Sequence, residues 1–387
     1  MNAMSDATRK LPDGRLRARG LGLPFPGKTG QNNSITDIPG VEVGYTTLIE
    51  GSGQLIVGKG PVRTGVTAIL PRGKETVPHP VWAAIYTLNG AGEMTCSHWI
   101  RDYGFFFGPI CLTNTHSVGI TYHAATRWMR EHYNQNALGI YNWAMPVVAE
   151  TYDGYLNDID GFHVRQEHVV AAIEGATSGP IAEGNVGGGT GMKTYEFKAG
   201  TGTASRVVRL QDEEFVVGAL VQSNFGFRPQ FTILGVPVGR HMTEHVMFTG
   251  EDYVRHGMQE AGSIIVIVGT NAPMLPLYLE RMARRMAIGI GRTGTTGSDY
   301  SSDICLAFST ANPSPRTGDT SIGALTYTPS DWLDPIFTAT VQSIEEAIVN
   351  AMVAAETMIG CDDHKIVAID HDELCEIMAR YNRQPLD

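Results

Sequence analysis

The stretch Ala261-Gly262-Ser263-Ile264-Ile265-Val266-Ile267-Val268 decides how the rest of the chain is read. Its β-branched run has no polar alternation, so it reads as a strand covered on both faces, with Gly262 and Ser263 as the turn that enters it. Other short apolar runs bounded by turn residues share this character. Strands are predicted over Val41–Leu48, Val66–Leu70, Pro109–Thr113, Met145–Glu150, Phe215–Gln222, Thr232–Val238, Ser263–Gly269 and Ile304–Ser309. Helices are predicted over Pro80–Leu88, Ile120–Tyr133, Arg165–Glu174, Leu275–Ala287, Ile344–Met358 and His371–Tyr381. Ser343-Ile344-Glu345-Glu346 reads as a capping box at the start of the fifth of these, ahead of a stripe at helical spacing. Strands interspersed with helices imply an α/β or α+β protein whose sheets are buried on both sides.

Bulk properties exclude several classes. With 387 residues, 42% of them hydrophobic and 18% charged, the chain has the composition of an ordinary globular protein. Its formal charge of −11 argues against a nucleic-acid partner, and the basic group Arg281, Arg284 and Arg285 has the spacing of a solvated helix face. No run reaches the ~18 apolar residues of a membrane span, and Met1–Gly20 has no apolar core of a signal peptide. The five cysteines are widely spaced and odd in number, which fits reduced thiols and a cytoplasmic location. Residues 1–38, polar and rich in Gly and Pro, read as an N-terminal arm ahead of a single domain over 39–387.

Three short motifs fail on context. Gly289-Ile290-Gly291-Arg292-Thr293-Gly294 spells a dinucleotide fingerprint, but a helix-like segment precedes it where a strand is required, so it reads as a glycine-rich loop. Gly187–Lys193 hints at a phosphate loop, yet Met192 stands where the glycine before the lysine belongs. His241, Glu244 and His245 form the HxxEH pattern of a zinc hydrolase, which needs both histidines on one helical face. This remains the competing enzyme class, and chelator sensitivity separates it from a serine mechanism.

Longer strings carry more. They are Leu112–Gly119, Val148–Gly154, Glu183–Met192 with Gly200–Arg206, Val221–Gly226, Gly262-Ser263 and Ser301-Ser302-Asp303. Together they resemble the self-processing aminopeptidases that include L-aminopeptidase/D-Ala-esterase-amidase and the β-aminopeptidases, from about residue 15 to about residue 380. The resemblance implies a four-layer αββα sandwich like that of the N-terminal-nucleophile hydrolases. It implies cleavage between Gly262 and Ser263 into an α subunit of residues 1–262 and a β subunit of residues 263–387. It also implies a homo-oligomer of αβ heterodimers, a tetramer of such pairs in the family, and neither metal nor organic cofactor.

The resemblance then assigns roles. Ser263 is the nucleophile, first on the Gly262 carbonyl and then on a small peptide, amide or ester, with its freed α-amine as base; such an amine has a pKa of about 7.7–8.0. Asn224 is the oxyanion donor and Tyr152 a second group at the reacting carbonyl. Glu150, on the same face of an extended segment as Tyr152, is a holder for the substrate ammonium. Ser301 and Asp303 match a Ser-x-acid pair near the nucleophile, where several relatives carry Glu in place of Asp303, and the adjacent Ser302 leaves the register open by one residue. Asn114, Gly188 and Gly189 shape the pocket backbone. His116 is not needed as the base. Within this mechanism β-aminopeptidase specificity is an alternative; outside it stand a non-catalytic peptide-binding homologue and an acyltransferase of the kind that uses threonine at its cut.

Overall fold

Strand alternation sends the apolar residues of the Ser263 strand to two different cores. Ile264, Val266 and Val268 join one cluster, whereas Ile265 and Ile267 join another. The computed structural model describes residues 6–134, 143–247, 262–312 and 322–383. In chain order its strands are β1 (Glu42–Glu50), β2 (Val62–Leu70), β3 (Val81–Gly90), β4 (Phe105–Phe106), β5 (Ile110–Asn114), β6 (Val147–Thr151) and β7 (Lys193–Thr194). They continue as β8 (Phe197–Lys198), β9 (Thr201–Leu210), β10 (Glu213–Asn224), β11 (Ser263–Thr270), β12 (Ser302–Ser309), β13 (Met358–Ile359) and β14 (Lys365–Ile366). The helices are α1 (Ser97–Tyr103), α2 (Val118–His132), α3 (Gln166–Glu174), α4 (Val238–His241), α5 (Pro276–Ala283), α6 (Met286–Gly291), α7 (Leu333–Val353) and α8 (His371–Arg380).

One sheet has the order β1-β2-β5-β6 and a larger one the order β4-β3-β12-β11-β10-β9. Pairs β5/β6 and β11/β12 are parallel, and the other pairs in both sheets are antiparallel. The inner faces meet through Ile69, Leu112, Val147 and Ala149 on one side and Ala83, Ile85, Ile265, Ile267 and Leu306 on the other. Helices α2 and α3 cover the outer face of the smaller sheet, packing Trp128, Met129 and Val169 on Val66, Ala68 and Val148. Helices α5 to α8 cover the larger sheet through Leu279, Met286, Ile344, Ile348 and Leu374. The layers therefore run helix, sheet, sheet, helix, the αββα order that the resemblance implies. No helix among the described residues is long and apolar enough to cross a membrane.

Several local expectations are corrected. Pro80–Leu88 is not a helix but most of β3, because Val81, Ala83 and Ile85 go to the inter-sheet core while Trp82, Tyr86 and Leu88 pack against the helix-side core. That is period two, which the small alanines disguise. Thr232–Val238 is not a strand; it holds only a bridge between Ile233 and Val236, and α4 starts at Val238. Thr201–Leu210, unassigned from sequence, is β9. The segment Leu275–Ala287 splits into α5 and the start of α6. Helix α6 contains Gly289, where a Cβ would stand 2.8 Å from Ile344 Cβ, so this glycine serves close helix packing rather than a loop. The expected cap at Ser343 lies inside α7, which starts at Leu333; the Ser343 hydroxyl donates to Val217 O at 3.4 Å.

The N-terminal lead-in is irregular but tied down by charge. Arg17 is buried, donating to Glu183 at 2.8 Å and to the carbonyls of Asn33 and Thr203. Arg19 and Arg206 both bind Glu346, at 2.8 and 2.6 Å, and Asn33 Nδ2 donates to it at 2.6 Å. Burial alone would raise the Glu346 carboxyl; Arg206 and Arg19, with the hydrogen bonds of Arg19 and Asn33, overcome this and hold it down at about 2. A depressed carboxyl contributes stability that is complete above its unfolded value of about 4.3 and is lost as pH falls toward its folded one. Glu346→Ala is expected to cost about 3–5 kcal/mol in denaturant unfolding at neutral pH, because two guanidiniums lose their buried partner. The gap to wild type should narrow as unfolding is measured from about pH 5 down toward pH 2.

Candidate active site

Ser263 opens β11 and is 4% exposed. Its strand partners are Asn224 at the end of β10 and Ser302 at the start of β12. Alternation puts all three side chains on the inner face, because Leu220, Ile265 and Ile304 of the same three strands belong to the inter-sheet core. Asn224 is held from both ends. Its Nδ2 donates to Tyr152 O at 2.9 Å, and its Oδ1 accepts from Lys193 N at 3.0 Å. Two residues earlier, Gln222 Nε2 bridges the sheets by donating to Thr113 O and Thr151 Oγ1, at 2.9 and 2.8 Å. The Gly262 carbonyl, which precedes Ser263, accepts from Ser302 N at 3.1 Å.

The facing sheet supplies a carboxylate. Glu150 on β6 is 4% exposed; its Oε1 accepts from Glu93 N at 3.1 Å and its Oε2 from the Thr115 hydroxyl. Burial pushes the Glu150 carboxyl up, against the opposing pull of those two hydrogen bonds. Between this carboxylate and β12 runs the loop after β3. At Gly92 a Cβ would overlap Ser302 Oγ and stand 2.5 Å from Glu150 Oε1, so both oxygens pack against this backbone, an approach that only glycine permits. Tyr152 lies just beyond β6 and is 54% exposed. Its carbonyl positions Asn224, and burial together with Asp153 and Asp160 pushes its phenol up.

Other expected residues sit behind or beside this cluster. Asn114 Nδ2 donates to Thr64 Oγ1 at 2.8 Å, and its Oδ1 has no hydrogen-bond partner among the described residues. It borders Asp153, which is buried and accepts from Asn157 at 3.0 Å. Gly188 and Gly189 are buried between the sheets, where Cβ atoms would come within 2.6 Å of Leu112 O and 2.7 Å of Gly200 C. They allow close backbone approach behind the site. Asp303 faces the helix side with Cys305, accepts from Ser301 at 2.6 Å and from Asn89 Nδ2 at 3.1 Å. The residue of that string on the Ser263 face is Ser302. His116 pairs with Asp160 at 3.1 Å. His241 lies 2.9 Å from the Tyr381 hydroxyl, and α4 ends there, so His245 is not one turn further along a shared helix. Among the described residues no group of three His, Cys, Asp or Glu is arranged to hold a metal ion.

Sequence reasoning left Ser302 as the alternative register to Ser301 and passed over Gly92, Thr115 and Asp153. Neighbouring strings contain Thr115, Asp153 and Ser302, but only strand register and the crossing of the β3–α1 loop disclose what each touches. Assembled, the cluster offers a buried serine hydroxyl, an oriented amide donor and a buried carboxylate on the facing sheet.

Comparison with known proteins finds relatives over nearly the whole chain. A model of peptidase family S58 matches residues 33–366. The β-peptidyl aminopeptidase BapA of Sphingosinicella microcystinivorans is 50% identical over 95% of this chain and 93% of its own. That of Sphingosinicella xenopeptidilytica is 44% identical over 95% and 92%. Among solved structures, the L-aminopeptidase D-Ala-esterase/amidase of Ochrobactrum anthropi, described as a prototype for the serine aminopeptidases and a variant of the Ntn hydrolase fold, superposes with a TM-score of 0.88. It is 48% identical, over 95% of this chain and 99% of that one. A Burkholderia β-aminopeptidase follows at a TM-score of 0.83 and 40% identity, over 94% and 99%.

The Asp153 carboxyl gives a test of this site's electrostatics. Burial pushes it up to about 7, against the lowering pull of Thr64, Asn157 and Asn114. Among the described residues its Oδ2 and the neighbouring Asn114 Oδ1 both have no hydrogen-bond partner, an arrangement that a proton on Asp153 suits. A raised carboxyl binds its proton more tightly folded than unfolded, so stability falls as pH rises from about 3.9 to about 7. In thermal melts, Asp153→Asn should gain on wild type between about pH 5 and about pH 8.

Proposed function

The chain belongs to peptidase family S58, and from that premise we propose that it is a self-activating serine aminopeptidase, cleaving its own Gly262–Ser263 bond and then releasing the N-terminal residue of short peptides, amides or esters. The observation that carries this reading is the position of Ser263: buried, at the mouth of β11, between Asn224 and Ser302 and facing the sheet that bears Glu150. A serine protease of the His type would need an imidazole on this hydroxyl. Among the described residues His116 is engaged with Asp160 instead.

Self-cleavage begins with Ser263 Oγ adding to the Gly262 carbonyl carbon. That carbonyl oxygen already accepts a hydrogen bond from Ser302 N, a donor for the developing oxyanion. Collapse breaks the C–N bond and moves the acyl group to Oγ, while the proton that Oγ gave up passes to the nitrogen, which leaves as an amine. Water then hydrolyses the ester, releasing the Gly262 carboxylate and freeing Ser263 at a new N-terminus. Its α-amine, with a pKa of about 7.7–8.0 in the ordinary case, takes the Oγ proton in the second reaction. Ser263 Oγ adds to the substrate carbonyl, Asn224 Nδ2 donates to the oxyanion, and the ammonium of Ser263 returns its proton to the leaving amine. Water completes the cycle by hydrolysing the acyl-enzyme. Glu150 holds the substrate ammonium, which selects for a free N-terminus. The Tyr152 hydroxyl acts as a second group at the substrate carbonyl, and Ser301 with Asp303 supports β12 from its outer face. The scheme calls on no metal or organic cofactor.

Identity to the two β-peptidyl aminopeptidases favours β-amino-acid substrates as a second reading within this mechanism; paired α- and β-alanyl p-nitroanilides distinguish them. Free cysteines throughout fit a cytoplasmic enzyme, and the family resemblance supports a homo-oligomer of αβ pairs.

Denaturing mass analysis should give two fragments divided at Gly262/Ser263 for wild type and a single 41.9 kDa chain for Ser263→Ala. An intact wild-type chain that still binds small peptides would favour the non-catalytic reading instead. Asn224→Ala should lower kcat by about 10²–10³-fold in protein that has already been cleaved. The acid limb of kcat/KM should lie above the ordinary glutamate range, because Glu150 must be ionised to hold an ammonium and burial has raised it. Glu150→Gln should remove that limb.

A further inference from the structure

Ser302 is the one side chain of the inner-face row without an assignment, and its hydroxyl is in an unusual state. The residue is 2% exposed, and Ser302 Oγ has no hydrogen-bond partner among the described residues. Burying a hydroxyl unpaired is costly, so such groups usually have a partner. Its neighbours limit what that partner is. Ser302 is the strand partner of Ser263 on one side and of Gly90 on the other. Its oxygen and Glu150 Oε1 both pack against the Gly92 backbone. The main-chain N–H is already committed to Gly262 O, so the side chain alone is available to a ligand.

A group that reaches both meets a carboxylate oxygen and a hydroxyl oxygen together. Both Glu150 oxygens already accept one hydrogen bond each, from Glu93 N and Thr115 Oγ1, and each carboxylate oxygen has a further lone pair. An ammonium presents three donors in tetrahedral array and needs more acceptors than one carboxylate oxygen. A neutral methyl in its place would leave the Ser302 hydroxyl oxygen without a donor and the Glu150 charge uncompensated, which is how a polar site rejects an isostere.

We propose that Ser302 Oγ accepts a hydrogen bond from the substrate's N-terminal ammonium and, with Glu150, forms the subsite that distinguishes a free amine from a des-amino acyl group. The proposal rests on the aminopeptidase reading above and deepens it. It makes Ser302 a determinant of specificity, set beside the nucleophile's strand and near the Glu150 carboxylate. It also gives a reason for glycine at position 92, since any side chain there would push Ser302 Oγ and Glu150 Oε1 out of their places.

The test compares alanine p-nitrophenyl ester with propionyl p-nitrophenyl ester, which differ only in the amine, on wild type, Ser302→Ala, Ser302→Gly and Glu150→Gln. The readout is the ratio of kcat/KM between the two esters. The loss of one hydrogen bond to a charged group should lower that ratio about tenfold or more in both Ser302 variants. A merely structural role would depress both esters together and leave the ratio alone. Two Ser302 variants are used because glycine relieves crowding that alanine retains. An unchanged ratio in both, with a lowered one in Glu150→Gln, overturns the Ser302 assignment and leaves the aminopeptidase reading standing. A ratio that is unchanged in Glu150→Gln as well overturns the ammonium subsite itself.

Discussion

The register of β11 between β10 and β12 is the constraint on which the rest depends. Sliding that strand by one residue would send Ile265 and Ile267 to the helix layers and turn Ser263 away from the facing sheet. Register is strongly held here because both faces of β11 are buried and carry different apolar sets. The same restraint that packs the two cores therefore aims the hydroxyl. It also brings Asn224 and Ser302 level with it, from strands whose sequence positions are far apart.

A second restraint holds the frame around this strand. Glu346 on α7 is bound by Arg19 from the irregular lead-in and by Arg206 from β9, and Glu183 is bound by Arg17. The Glu346 pairs join segments on both sides of the Gly262–Ser263 bond. If the bond is cleaved as proposed, buried ion pairs and the shared helix-side core keep the pieces together without it. Such pairs are costly to assemble but more costly to break from one side, which suits a body that must survive a cut.

Much of the frame was legible locally. The runs at Ile264–Val268 and Ile304–Ser309 are too apolar to be anything but interior strand, and α2, α3 and α8 have stripes that announce them. What misled is equally physical. The alanines in Val81–Gly90 allow a helical reading until Trp82 and Tyr86 are seen to share one face. Ser343, Glu345 and Glu346 imitate a helix start, although charged residues buried in mid-helix are explained only by Arg292, Arg19 and Arg206 arriving from elsewhere. The site divides in the same way. Ser263, Asn224 and Glu150 stand where their strings indicated, at strand ends. In Ser301-Ser302-Asp303, however, local sequence does not say which hydroxyl faces the nucleophile, and Asn114, Gly188 and Gly189 serve backbone packing and a buried acid.

By itself the sequence determined the layers: which runs are buried, which segments coil, and that a serine follows a glycine at the mouth of the most apolar strand. Those are properties of neighbouring residues, set by side-chain volume, β-branching and turn chemistry within a few positions. Only the tertiary structure decided that Ser302 rather than Ser301 shares the face of Ser263, that Gly92 lets Ser302 Oγ and Glu150 Oε1 approach one backbone, and that the Tyr152 carbonyl aims Asn224. Each of these depends on hydrogen bonds and close approaches between strands remote in the chain, and no local pattern encodes the register that brings them together.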